Sequence, residues 1–294
     1  MTIRSLLLLL ACFALPAGAL ETPLRISVSN YPLAYFAGRI GGEAVQVLFN
    51  VPENSDPAFF KPDAKAVVAM QKADLIVING ADYEKWRSRV SLPENRMVDT
   101  SESFKARLIR IEHAVTHNHG PQGQHSHAGI AFTTWLDFDQ AARQAETLAE
   151  AMKKKRPGLR DDFSKNLAVL LSDLAALDQE MKALGEQHRG QALLGSHPVY
   201  QYLARRYGLF LESVHWEPDS MPSESEWQAF GQMRAHHPAS LMIWEGAPST
   251  ETRKRLGDLG VESVIFDPCA NRPPQGDFLT VMRANIENLK TAWR

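Results

Sequence analysis

Residues 138–187 contain no strand-like run, and this helical block separates two stretches in which short β-rich segments alternate with helical ones. On its N-terminal side, apolar runs at 24–29, 45–51 and 74–80 have strand length and composition, and helical periodicity fills 33–40 and 63–72 between them. On its C-terminal side, strands are predicted at 192–196, 210–214, 240–244 and 263–266, with helices over 198–207, 224–236, 250–259 and 277–293. Parallel strands need long crossover connections, which helices supply, so each stretch reads as a parallel β-sheet flanked by helices. The fold expected is α/β in two lobes. Pro157-Gly158 divides the block into helices over 138–156 and 159–187, and in the second Leu167, Leu170, Leu171, Leu174, Leu177 and Met181 recur at three- and four-residue spacing. A helix of that length spans about 43 Å, enough to join two lobes rigidly. The organisation predicted is a leader at 1–19, an N-terminal lobe at 20–137, interlobe helices at 138–188 and a C-terminal lobe at 189–294.

Five of the ten histidines fall between His113 and His127, among Gly, Pro, Gln and Asn. Imidazole is the commonest nitrogen ligand for zinc and similar ions, and the interspersed residues make a chain that can wrap an ion but cannot pack a core. Residues 113–127 are therefore expected to form a loop on which His117, His119, His125 and His127 contact a metal.

Asp56-Pro57-Ala58-Phe59-Phe60-Lys61-Pro62, Ala73-Asp74-Leu75, Asn79-Gly80 and Glu84-Lys85-Trp86 resemble, in order and spacing, the first lobe of the zinc- and manganese-binding substrate-binding proteins of metal ABC importers, the ZnuA/TroA-like family. The resemblance continues through Thr133-Thr134-Trp135-Leu136-Asp137, Gly195-Ser196-His197, Tyr202 to Leu209, and Phe266-Asp267-Pro268, covering nearly all of the chain beyond the leader. The histidine run also sits where the zinc-specific members carry theirs. The resemblance implies a two-lobed binding protein that takes Zn2+, or Mn2+ or another divalent transition metal, and hands it to a membrane permease.

The chain departs from the family at two ligand positions. Where the family has histidine, this sequence has Ala58 and Thr133, and neither a methyl nor a threonine hydroxyl makes a good zinc ligand. The matching positions that remain are His197 and Asp267, both in the C-terminal lobe. Either the histidine run completes the site, or donors local to that lobe do: His215 and Glu217, Glu245, and Cys269. All of these follow apolar strands, and open α/β sheets bind ligands beyond their strand C-termini. His236-His237 reads instead as positive charge on a helix C-terminus. A periplasmic metal chaperone or sensor-like module without a closed site is an alternative function. A hydrolase using His197, Glu245 and Asp267 as metal ligands and Glu217 as base is a remoter one, since the chain has no His-Glu-x-x-His pair, nucleophile elbow or phosphate-binding glycine loop.

Met1 to Arg4 carries one positive charge, an apolar run follows, and Ala17-Gly18-Ala19 has the small-x-small form of a signal peptidase site, so the protein is expected in the periplasm. Leu9-Leu10-Ala11-Cys12 resembles a lipoprotein cleavage box, but the sequence after Cys12 stays apolar where a lipid tether is polar. Removal of Arg4 with the leader leaves 31 basic against 34 acidic residues, a net charge near −3 that offers no footprint for nucleic acid. A monomer is expected. Intact-mass analysis of the exported protein should show a chain beginning near Leu20; a diacylated Cys12 terminus would overturn that.

Overall fold

The computed structural model describes residues 22–53, 55–111, 116–119, 123–126 and 129–293, with 116–119 and 123–126 described as backbone alone. The leader with Cys12, and His113 and His127, lie outside the described residues.

The N-terminal sheet comprises β1 (Leu24–Val28), β2 (Val45–Leu48), β3 (Leu75–Ile78) and β4 (Met97–Asp99), all parallel, in the order β2-β1-β3-β4. Its helices are α1 (Tyr31–Gly41) and α2 (Ala64–Gln71), capped by the side chains of Asn30 and Asp63. Every residue of β3 is buried, as a central parallel strand covered on both faces requires. The chain then passes through β5 (Arg110–Ile111), β6 (Thr116–His119), β7 (Gly123–Ser126) and β8 (Gly129–Ile130). Within the expected loop the described backbone is paired. The backbones of β6 and β7 pair antiparallel, with His117 opposite His125, and β5 pairs with β8 at the base. A ladder needs only N–H and C=O groups, so a polar composition does not prevent it.

Helices α3 (Phe138–Lys155) and α4 (Arg160–Gln187) follow, and the 28 residues of α4 reach about 42 Å. The C-terminal sheet of β9 (Ala192–Gly195), β10 (Phe210–Ser213), β11 (Leu241–Trp244) and β12 (Glu262–Ile265) is parallel in the order β10-β9-β11-β12, the same strand order as the first. Its helices are α5 (Gln201–Tyr207), α6 (Glu224–His236), α7 (Thr250–Asp258) and α8 (Phe278–Ala292). The buried stripe of α4, from Phe163 through Leu170, Leu177 and Leu184, packs on α1, α3, α5 and α8. One apolar cluster consequently runs unbroken from β1 and β3 through α3 and α4 into β9, β11 and α8. Buried Asp137, which caps α3, lies within 3.8 Å of the guanidinium groups of Arg107, Arg205 and Arg206, so charge as well as packing joins the lobes.

A polar hub sits at the end of β3. The fully buried Asn79 side chain donates to the carbonyls of Gly80 and Phe132 and accepts from Gln144, Asn30 and Thr134, while its backbone N–H donates to Glu84 at 2.7 Å and to Ser29. Burial pushes the Glu84 carboxyl up to about 7. A folded-state value above the unfolded one of 4.5 means that the native state holds an extra proton between them. That contribution is fully present below about pH 4.5 and is lost as pH rises through 7, a change of at most about 3 kcal/mol. The urea midpoint of the wild type should therefore fall relative to that of Glu84→Gln between about pH 5 and 7.5. A constant difference across that range would contradict the assignment.

Candidate metal centre

Each strand of the C-terminal sheet delivers a candidate donor beyond its C-terminal end: β9 leads to His197, β10 to His215 and Glu217, β11 to Glu245, and β12 to Asp267. The backbone around His197 is pinned by Ser196 N–H donating to Ile243 O at 2.8 Å and Trp216 N–H to Ser196 O at 2.7 Å. The ring is 3% exposed, with Nδ1 3.3 Å from Glu217 Oε1. Asp267 is held from two sides. Its Oδ1 accepts from Cys269 N–H at 2.7 Å, and Asn285 on α8 both accepts from its N–H and donates to its carbonyl. Burial raises the Asp267 pKa, and the Cys269 N–H partly offsets the rise.

Three sequence expectations change here. The Cys269 thiol is buried in the apolar cluster, where that burial and Asp267 push its pKa up, and it does not line the cleft. His215 packs edge-on to His197, ring centroids 5.7 Å apart, but it lines a neighbouring hollow of about 180 Å³ with Trp216 and Met221 and not the main cleft. His237 is fully buried, with Nε2–H donating to Leu193 O at 2.8 Å; a carbonyl partner, and not a helix terminus alone, accounts for its place.

The opposite wall comes from the N-terminal lobe. Asp56-Pro57-Ala58 forms the counterpart of Asp267-Pro268-Cys269: Ala58 N–H donates to Asp56 Oδ1 at 2.8 Å. Ala58 itself is wholly buried and contributes nothing to the cleft lining, although it stands where the family has a ligand histidine. Thr133 does line the cleft, with its hydroxyl donating across it to the Val199 carbonyl. Most of this wall is aromatic. Phe59, Phe132, Tyr83 and Trp135 meet edge to face in a row, with neighbouring centroids 6.5, 5.3 and 5.7 Å apart. Further bonds tie the walls together: Trp135 Nε1–H to Pro268 O at 2.7 Å, Tyr202 O–H to Ala131 O at 2.8 Å, and Asn271 Nδ2–H to the carbonyls of Pro52 and Ser55.

The cleft between these walls has a volume of about 600 Å³ and gathers Asp56, His197, Glu217, Glu245 and Asp267. Although part of Glu245 still meets solvent, the protein packed around its carboxyl and the carboxylates of Asp56, Glu217 and Asp267 push its pKa well above the usual range. Among the described residues, no three His, Cys, Asp or Glu side chains stand close enough together to hold an ion by themselves. His117, His119 and His125 sit on the hairpin strands, where backbone alone is described. The sequence reading missed the place of Asp56 in the cleft. The repeated Asp-Pro-x at 56–58 and 267–269, one per lobe, was the signal that pointed to it.

Comparison with known proteins places this geometry. The family model described as zinc-uptake complex component A, periplasmic (ZnuA), matches residues 26–292. The zinc-binding lipoprotein AdcA of Streptococcus pneumoniae is 23% identical over 91% of this chain and 55% of its own length, so the chain spans about half of that relative. The manganese ABC transporter substrate-binding lipoprotein PsaA of Streptococcus pneumoniae is 23% identical over 90% of this chain and 87% of its own. The crystal structure of the metal-dependent lipoprotein YcdH from Bacillus subtilis shares the fold with a TM-score of 0.78, at 19% identity, covering 91% of this chain and 98% of that one.

The two departures from the family pattern should behave differently when reverted. Thr133→His places an imidazole on the cleft wall and should raise zinc affinity roughly tenfold by calorimetric titration. Ala58→His forces a ring into a closed core position and should cost about 1–3 kcal/mol of stability. An Ala58→His variant as stable as the parent would show that the position opens to the cleft.

Proposed function

This chain belongs to the ZnuA family of periplasmic zinc-uptake components, and from that membership and the cleft we propose that it is the extracytoplasmic solute-binding component of an ABC metal-uptake system, taking a divalent transition ion, zinc first, and passing it to a membrane permease. The observation that carries the reading is the crowding of Asp56, Glu217, Glu245 and Asp267 around His197. Carboxylates at such range repel one another, and a divalent cation relieves the repulsion. In this reading His197, Glu245 and Asp267 face the ion from the C-terminal lobe, with Asp56 opposite, and close on it only as it binds, since no three of them stand together without it. One imidazole among carboxylates suits zinc and also manganese, the two ions for which the matched relatives are named. The histidines of the run, His117, His119, His125 and His127, act as a weaker outer collector that adds imidazole donors for further ions. Among the described residues no helix is long and apolar enough to cross a membrane, so the permease is a separate chain in this scheme.

Metal analysis of the purified mature protein, with and without residues 113–127, tests the proposal. Both forms should retain or take up about one tightly held ion, with the weaker additional ions confined to the longer form. His197→Ala and Asp267→Ala should each weaken the tight site about tenfold or more. Absence of stoichiometric transition metal in both forms would refute the reading.

A further inference from the structure

His197 stands two residues beyond the end of β9, and only Pro198, Val199 and Tyr200 separate it from α5. The chain before the imidazole is fixed to its own sheet, where Ser196 bonds Ile243 and Trp216. The chain after it is fixed to the other lobe. The Val199 carbonyl accepts from the Thr133 hydroxyl, and the wholly buried Tyr202 O–H donates to Ala131 O at 2.8 Å. Residues 131–133 of the N-terminal lobe are thereby bonded along residues 199–202. Val199 N–H in turn donates to His197 O at 2.9 Å, so a displacement of this strip reaches the backbone of His197 directly.

Tyr202 carries more of this fastening than one bond. Its oxygen also accepts from Ile109 N–H at 3.2 Å, and Ala131 N–H donates to Ile109 O at 2.9 Å, which closes a ring of hydrogen bonds among the three residues. A phenol hydroxyl donates and accepts at once, and bonds linked in this way polarise one another. Three residues further along α5, the Arg205 guanidinium lies 5.1 Å from the centroid of the Tyr202 ring and donates to Arg107 O at 2.6 Å. The start of α5, next to His197, is therefore anchored in the N-terminal lobe.

We propose that Tyr202 is a positioning residue for the metal site: by holding the segment after His197 against Ile109 and Ala131, it sets the imidazole for the ion. The inference rests on the reading of the cleft as a metal site. It gives the N-terminal lobe, which has Ala58 and Thr133 where the family has histidines, a part in binding through the placement of a ligand on the other lobe. A ligand held in place beforehand is not ordered at the expense of affinity, and the partners that orient metal ligands change affinity about 10- to 100-fold when lost.

Zinc affinity of the mature protein, measured by calorimetric titration in competition with a chelator, tests this. Tyr202→Phe keeps the ring and removes both bonds of the hydroxyl, and it should lower the affinity about tenfold. Tyr207→Phe is the control. That hydroxyl lies on the same helix but bonds Phe138 N–H and Asp178, so its loss should leave zinc affinity unchanged whatever it does to stability. In a His197→Ala background Tyr202→Phe should lower the affinity no further, because its effect passes through the imidazole. Thr133→Val, which removes the neighbouring bond to Val199, should show the same dependence on His197 and serves if Tyr202→Phe does not fold. Unchanged affinity in Tyr202→Phe overturns the proposal, as does an equal fall in Tyr207→Phe or an equal further fall in the His197→Ala background. Failure of the wild type to take up zinc would instead sink the metal-site reading itself.

Discussion

A carboxamide shut away from water must find partners for two N–H donors and its oxygen within the protein, and Asn79 does so by drawing four segments to one point. Its partners lie at the end of β1, in the turn after β3, in the segment entering α3 and on α3 itself. Gln144 extends the network to Thr100 beyond β4. Two of the bonds fall on Phe132 and Thr134, so the residue between them, Thr133, can only present itself to Val199. The N-terminal wall of the cleft is therefore a consequence of how one buried polar group is satisfied.

That rigidity gives the two lobes unequal roles. They share one strand order, and each carries an Asp-Pro-x turn in which the carboxylate accepts the backbone N–H two residues on. The C-terminal lobe uses its strand ends for an imidazole and three carboxylates. At the matching edge, the N-terminal lobe places rings and a threonine whose hydroxyl is bonded across the gap. The bonds from Trp135, Tyr202 and Asn271, with the Asp137 ion pairs behind them, hold the cleft shut through protein contacts alone. In a four-ligand site the ion itself clasps the lobes. Here protein contacts join the lobes as well.

The sheets and long helices were legible because burial on both faces leaves an unbroken apolar run, as in Leu75–Ile78, and a one-sided contact leaves a stripe, as along α4. Strand β4 was not legible, since three half-buried residues with mixed chemistry carry no period. The helix expected from Pro198 begins at Gln201, because the stretch before it turns to bring the Val199 carbonyl to Thr133. His197 and Asp267 could be picked from strand-end position together with motif. Asn79 showed only as part of the Asn79-Gly80 motif, for its partners are scattered from residue 30 to residue 144. Burial, which no single sequence reveals, separated Cys269 and Ala58 from the cleft and set His215 in the hollow beside it.

The central claim is that the metal is held by a single imidazole, His197, and by carboxylate oxygens, chiefly from the C-terminal lobe. Zinc K-edge X-ray absorption of the zinc-loaded protein lacking residues 113–127 examines that directly. The account predicts a coordination shell of light atoms dominated by oxygen, with the multiple scattering of one imidazole and no sulfur. Two or more imidazoles, or a zinc–sulfur distance, would contradict it.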